Sequence, residues 1–152
     1  MSGQIFSERF PFSAWPNPAV PSVAAGVYAI WKGDELIYCG MSGREIDAKA
    51  SAQPRKYGLV TRLASHWSGR LSGDQFCVYV ANRFVIPSLT PDEMPLFASG
   101  ELNLDARTRK FIHLHLDYAY ALVQTSAEAY SLERAARRGE VFGRKPFLNP
   151  LE

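Results

Sequence analysis

The chain has 152 residues, enough for one domain with a real core. Its apolar fraction of 47% and charged fraction of 21% are ordinary for a soluble globular protein. A net charge of +2 is too small to argue nucleic-acid binding on its own, so the placement of charge carries more than its total.

Residues 1–23 hold Pro11, Pro16, Pro18 and Pro21 among Phe6, Phe10, Phe12 and Trp15. Proline opposes regular pairing and the aromatics favour burial, so an extended arm packed on the domain is expected. Two β-prone runs follow, Gly26-Val27-Tyr28-Ala29-Ile30-Trp31 and Leu36-Ile37-Tyr38-Cys39-Gly40. The segment between them, Lys32-Gly33-Asp34-Glu35, reads as a tight turn, which makes a hairpin over about 25–40. Residues 41–56 read as a loop containing Gly43 and Pro54. Leu59, Leu63 and Trp67 recur at four-residue spacing and predict a helix over 58–71. Residues 75–86 read as β-rich, because Phe76, Val78 and Val80 alternate with Cys77 and Tyr79. An irregular stretch with three prolines follows, within an insert spanning about 82–116. Asn103 or Asp105 is placed to cap a helix ending near Leu116. A strand over 118–124 and a helix opened by Ser126, with Ala129, Leu132 and Ala136 as its apolar stripe, complete the elements. The tail runs Lys145-Pro146-Phe147-Leu148-Asn149-Pro150.

The expected fold is α+β: a small central β-sheet opened by an antiparallel hairpin and flanked by helices, over residues 24–152. Cys39 and Cys77 each lie in an apolar run and suit two small core residues in a reducing compartment. No Cys/His cluster has zinc-ligand spacing. No apolar run approaches bilayer length and no signal-peptide pattern opens the chain, so a cytoplasmic protein is expected.

Several polar residues occupy otherwise apolar elements. Tyr28 and Tyr38 lie on the hairpin. Arg62 and His66, four apart, share a helix face. Glu133 adjoins the late apolar stripe, and Asn149 is the uncharged polar residue of the tail. Phosphodiester hydrolysis needs residues of these kinds. A carboxylate can hold a hard divalent cation, and an arginine can clamp phosphate oxygens. A tyrosine with a histidine neighbour can take a proton from water.

This set, in this order, resembles the GIY-YIG nuclease family. Gly26-Val27-Tyr28 matches the first signature with valine for isoleucine, and Tyr38-Cys39-Gly40 the second with cysteine for isoleucine. Ser42 follows as the family's small turn residue often does. Gly58 to His66 looks like the family's helix. Leu132-Glu133 matches the metal-ligand glutamate, and Lys145 to Asn149 the closing asparagine motif. The resemblance implies a metal-dependent endonuclease acting on DNA with Mg2+ or Mn2+. Tyr28 would be the general base or its relay, with His66 accepting the proton. Tyr38 would position the phosphate or the attacking water, and Arg62 would stabilise the pentacoordinate transition state. Glu133 would hold the metal, and Asn149 would orient the phosphate or brace the site. Arg55, Lys56, Arg70, Arg137, Arg144 and Lys145 are candidates for nucleic-acid contacts. The alternatives are an inactive DNA-binding or partner-binding module on the same scaffold, and a nuclease of RNA or branched DNA.

Each residue also has a plainer reading alone. Both tyrosines can be amphipathic strand residues, Arg62 and His66 a solvated helix face, Glu133 and Arg137 a surface ion pair, and Asn149 turn chemistry. His113 and His115 point apart on a helix and complete no metal site. Hairpin register is the discriminating geometry. An even loop centred on Gly33-Asp34 pairs Tyr28 with Cys39 and turns the phenols to opposite faces. An odd register, or an equivalent bulge, is therefore expected.

Overall fold

The structure, a computed structural model, describes residues 6–42 and 57–152. The expected loop over 41–56 lies almost wholly outside the described residues, as do Arg55 and Lys56. Phe10–Pro11 (β1) is a short strand ending at a proline, and Phe12 just beyond it is fully buried. The N-terminal segment thus packs as an arm from residue 6 onward. Val23–Lys32 (β2) and Glu35–Ser42 (β3) form the antiparallel hairpin. Gly33 turns the chain with φ 60°, the left-handed conformation that two-residue hairpin loops favour and glycine adopts without steric cost. The two residues Tyr57–Gly58 (β4) pair in parallel with the start of β2, and Leu116–Val123 (β5) pairs antiparallel with β2 from Ala25 to Lys32. The architecture is mixed α+β, a small four-stranded antiparallel sheet of order β1-β5-β2-β3 flanked by helices.

Helices cover both faces. Leu59–Ser68 (α1) buries Leu59, Val60, Leu63 and His66, and ends at Gly69, whose φ of 74° is that of a left-handed helix cap. With Tyr28, Ile30, Tyr118 and Phe76, α1 forms the larger core. Ser126–Arg137 (α5) opens with a reciprocal capping box between Thr125 and Glu128. Its Ala136 joins Ala29, Leu36 and Cys39 in a second apolar cluster on the other face.

Residues 75–86 differ from the expected strand. They form a helix, Gln75–Val80 (α2), which runs on through a wider π-type turn at Ala81–Val85. A short run apolar on every side reads equally as buried strand or buried helix. Asp74 decides the case, because its carboxylate accepts the Cys77 N–H at 3.0 Å and caps a helix start. Met94–Ser99 (α3) and Leu104–His115 (α4) follow, the latter capped by Asn103 as expected. α4 contributes the fully buried Thr108 and Ile112, so the expected insert supplies residues to the core. Both cysteines are buried and free. Among the described residues, no helix is long and apolar enough to cross a membrane.

The hairpin carries the discriminating irregularity. Lys32 pairs with Glu35 and Trp31 with Leu36, but Ile30 pairs with Tyr38 and Tyr28 with Gly40. Ile37 is therefore an extra residue, a β-bulge that shifts the register by one. Without it Tyr28 would face Cys39 and the phenols would lie on opposite faces. With it, Tyr28, Ile30, Tyr38 and Gly40 share one face. The tail secures the bulged edge: Phe147 N–H donates to the Leu36 carbonyl at 3.0 Å and Leu148 N–H to the Ile37 carbonyl at 2.8 Å.

Candidate active site

Tyr28 is 2% exposed and its ring stacks near Tyr38, the centroids 6.3 Å apart. Its hydroxyl crosses the hairpin over Gly40. A Cβ on Gly40 would lie 2.4 Å from that oxygen, so the absent side chain makes room for the phenol. The hydroxyl ends 2.6 Å from His66 Nε2, and His66 Nδ1 lies 2.8 Å from Asp74 Oδ2. That same Asp74 oxygen accepts the Ser65 hydroxyl at 2.7 Å, while Oδ1 caps α2.

The proton positions follow from the environment. Burial, reinforced by the neighbouring Tyr38 phenol and the Asp74 and Glu133 carboxylates, raises Tyr28 well above 10.0, against the opposing charge of Arg62. Burial also lowers His66 below 6.5, with the Asp74 contact working against it. At Asp74 burial pushes upward, but hydrogen bonds from His66, Ser65 and the Cys77 N–H outweigh it and hold the carboxyl down at about 2. Near neutral pH the phenol is thus protonated, the imidazole neutral and Asp74 ionised. The Tyr28 hydroxyl donates to Nε2, and the Nδ1–H donates to Asp74.

This arrangement makes stability pH-dependent. His66 and Asp74 both bind protons less readily folded than unfolded, so the unfolded state takes up more protons as the solution is acidified. Their contribution is complete above pH 6.5, falls first as His66 titrates, and falls again between 3.8 and about 2 as Asp74 does. A thermal-melt series from pH 7.5 to 2 is expected to show a falling midpoint. Asp74→Asn should flatten its lower part, and an unchanged slope in that variant would contradict the assignment.

Tyr38 is half-buried, and burial raises its hydroxyl to about 12. Arg62 is exposed on the α1 face that bears His66, and its charge opposes the shifts of both phenols. Glu133, on α5, is 12% exposed and pairs with Arg137 at 3.3 Å. Arg137 Nε also donates to the Asn149 carbonyl at 2.8 Å. The Asn149 amide is taken up by β3, accepting from Cys39 N–H at 3.2 Å and donating to the Cys39 carbonyl at 2.6 Å. Asn149 thereby ties the tail to the edge strand.

The site residues therefore form two linked groups. Tyr28, Tyr38, Arg62 and His66 gather on one sheet face. Glu133 and Asn149 meet through Arg137 at the edge strand. Arg70 and Lys145 are exposed, and the Arg144 guanidinium donates to the Asp34 carbonyl at 2.9 Å. Arg137 is engaged internally. His113 stacks on Trp67 and its Nε2 bonds to the Trp67 carbonyl, which accounts for it without a metal. Sequence reasoning missed Asp74. Its signal, an aspartate after Gly73 at the head of an apolar run, acquires meaning only when that run is helical.

No protein-family model matches the chain, and neither does any curated protein or solved structure.

Proposed function

We propose that the chain is a divalent-metal-dependent endonuclease that hydrolyses phosphodiester bonds in DNA. The observation that carries this reading is the hydrogen-bonded series Tyr28–His66–Asp74, with the exposed Arg62 one turn before His66 on the same helix. The ordered motifs that resemble GIY-YIG nucleases include these same residues and support the reading. In this reading Arg62 clamps the scissile phosphate and stabilises the charge of the pentacoordinate transition state. Tyr38, the more accessible phenol, orients the phosphate or the attacking water. Water forms a new O–P bond as its proton passes to Tyr28 Oη. The Tyr28 proton moves at the same time to His66 Nε2. The P–O ester bond breaks and its alkoxide takes a proton from solvent. A phenol this strongly protonated is a poor base alone, and the coupled transfer avoids a free phenolate.

Glu133 would hold the metal. Among the described residues no group of three or more His, Cys, Asp or Glu converges, so no closed protein cage exists there. A single carboxylate fits magnesium, which keeps several waters and takes oxygens from a phosphate substrate. The bound ion would neutralise charge on the scissile phosphate. Of the cations expected to contact nucleic acid, Arg70, Arg144 and Lys145 are exposed among the described residues and would face its backbone charge.

Supercoiled plasmid, single-stranded DNA, RNA and branched duplexes incubated with Mg2+, Mn2+ or EDTA test the proposal. The expected result is plasmid nicking with metal and none with EDTA. Arg62→Ala and Glu133→Ala are each expected to reduce the rate by about 10²-fold or more. Absence of metal-dependent cleavage of every substrate would instead favour a binding module. Cleavage confined to RNA or branched duplexes would assign the other substrate class.

A further inference from the structure

We infer that Asp74 is a positioning residue of this site: it holds His66 as the Nδ1–H tautomer, so that the Nε2 lone pair receives the Tyr28 proton. This rests on the reading of Tyr28 and His66 as a proton relay and adds a third member to it.

Asp74 is 4% exposed and its carboxylate is fixed on three sides. Oδ1 takes the Cys77 N–H at 3.0 Å, and Oδ2 takes the Ser65 hydroxyl at 2.7 Å and His66 Nδ1 at 2.8 Å. An ionised carboxylate only accepts hydrogen bonds, so Nδ1 must carry a hydrogen. The neutral ring then offers Nε2 as an acceptor, 2.6 Å from the Tyr28 hydroxyl. When the phenol's O–H bond breaks and the Nε2–H bond forms, the resulting imidazolium faces an anion already in contact. As the proton taken from water leaves Tyr28 Oη for solvent, the proton on Nε2 moves back to that oxygen in the same step, so the resting tautomer is restored without a free phenolate. This is the orienting logic of the third residue in hydrolase triads, reached here with a tyrosine in the first place.

Position 74 permits a variant that separates relay from scaffold. Asparagine caps helices as well as aspartate does, so Asp74→Asn preserves the start of α2. The Cys77 N–H would engage its amide oxygen and leave the NH2 group facing His66 Nδ1. An amide NH2 donates, so the ring must expose an Nδ1 lone pair and move its hydrogen to Nε2. Nε2 could then no longer accept from Tyr28.

The test is long-range 1H–15N NMR of full-length protein labelled at histidine nitrogens, run beside the plasmid-nicking assay. The expected wild-type spectrum shows His66 as the Nδ1–H tautomer, changing to Nε2–H in Asp74→Asn. Nicking should fall by about 10²- to 10⁴-fold, chiefly in kcat rather than KM. Asp74→Ser, which also caps but carries no anion, should lose comparable activity and provides a second soluble variant. A wild-type Nε2–H tautomer, or an Asp74→Asn spectrum unchanged from wild type, overturns the proposal. Full nicking activity in Asp74→Asn overturns it too. If the wild-type protein nicks nothing, the nuclease reading fails, while the tautomer measurement still decides the role of Asp74.

Discussion

Replacing Tyr28 with phenylalanine is expected to lower metal-dependent cleavage by about 10²- to 10⁴-fold while leaving the fold intact. The substitution keeps the ring that stacks near Tyr38 and packs in the core. It removes only the hydroxyl, which makes the 2.6 Å bond to His66 Nε2. Leaving that buried nitrogen without its donor costs about 1–3 kcal/mol of stability, a shift that thermal denaturation can measure. His66→Ala removes the other end of the same bond and should reduce the rate by a similar factor. If the two residues act as one relay, the double variant should be scarcely slower than either single variant, because groups acting as a unit are non-additive. Multiplicative losses would mean that Tyr28 and His66 act separately. Near-wild-type activity in Tyr28→Phe would remove Tyr28 from the chemistry altogether.

The second large effect is expected at a residue with no functional group. Gly40→Ala places a methyl 2.4 Å from the Tyr28 hydroxyl oxygen and 2.5 Å from Cζ. Gly40 lacks a positive φ, so alanine meets no backbone penalty and the conflict is with the phenol alone. Tyr28 has no free volume to retreat into, being buried against α1 and Tyr38. The ring must tilt away from β3, lengthening its contact with His66. Overpacking of this kind costs about 1–3 kcal/mol, and cleavage should fall nearly as far as in Tyr28→Phe. A Gly40→Ala variant with wild-type melting and cleavage would show that the phenol does not need its path over the strand.

The hairpin shows how far sequence reading reached. Its strands, its Gly33 turn and the need for both phenols on one face follow from alternation, turn chemistry and the chemistry sought. An odd register or a bulge was the expectation; which of the two the chain uses, and its place at Ile37, did not follow. The carbonyls of Leu36 and Ile37 at the bulge accept from tail N–H groups more than a hundred residues away. The same distance hides the pairing of the Asn149 amide with the Cys39 backbone. Residues 75–86 were misread because periodicity cannot separate a short buried strand from a short buried helix. That error concealed Asp74, since an N-cap cannot be recognised ahead of a helix that has not been recognised.

By itself, then, the sequence determined the α+β class, the hairpin, the long helices with Asn103 among the candidate caps, and a candidate set comprising Tyr28, Tyr38, Arg62, His66, Glu133 and Asn149. These are local properties, carried by side-chain periodicity and by residue types unusual in their settings. Tertiary structure alone decided which of them touch, which strand register they occupy, and that Asp74 stands behind His66. Those outcomes rest on packing between segments remote in the chain, where a single extra residue in one strand or one carboxylate at a helix start reverses the geometry. Gly40 joins the two levels: its identity is plain in the sequence, and its purpose appears only when the Tyr28 hydroxyl is seen to pass over it.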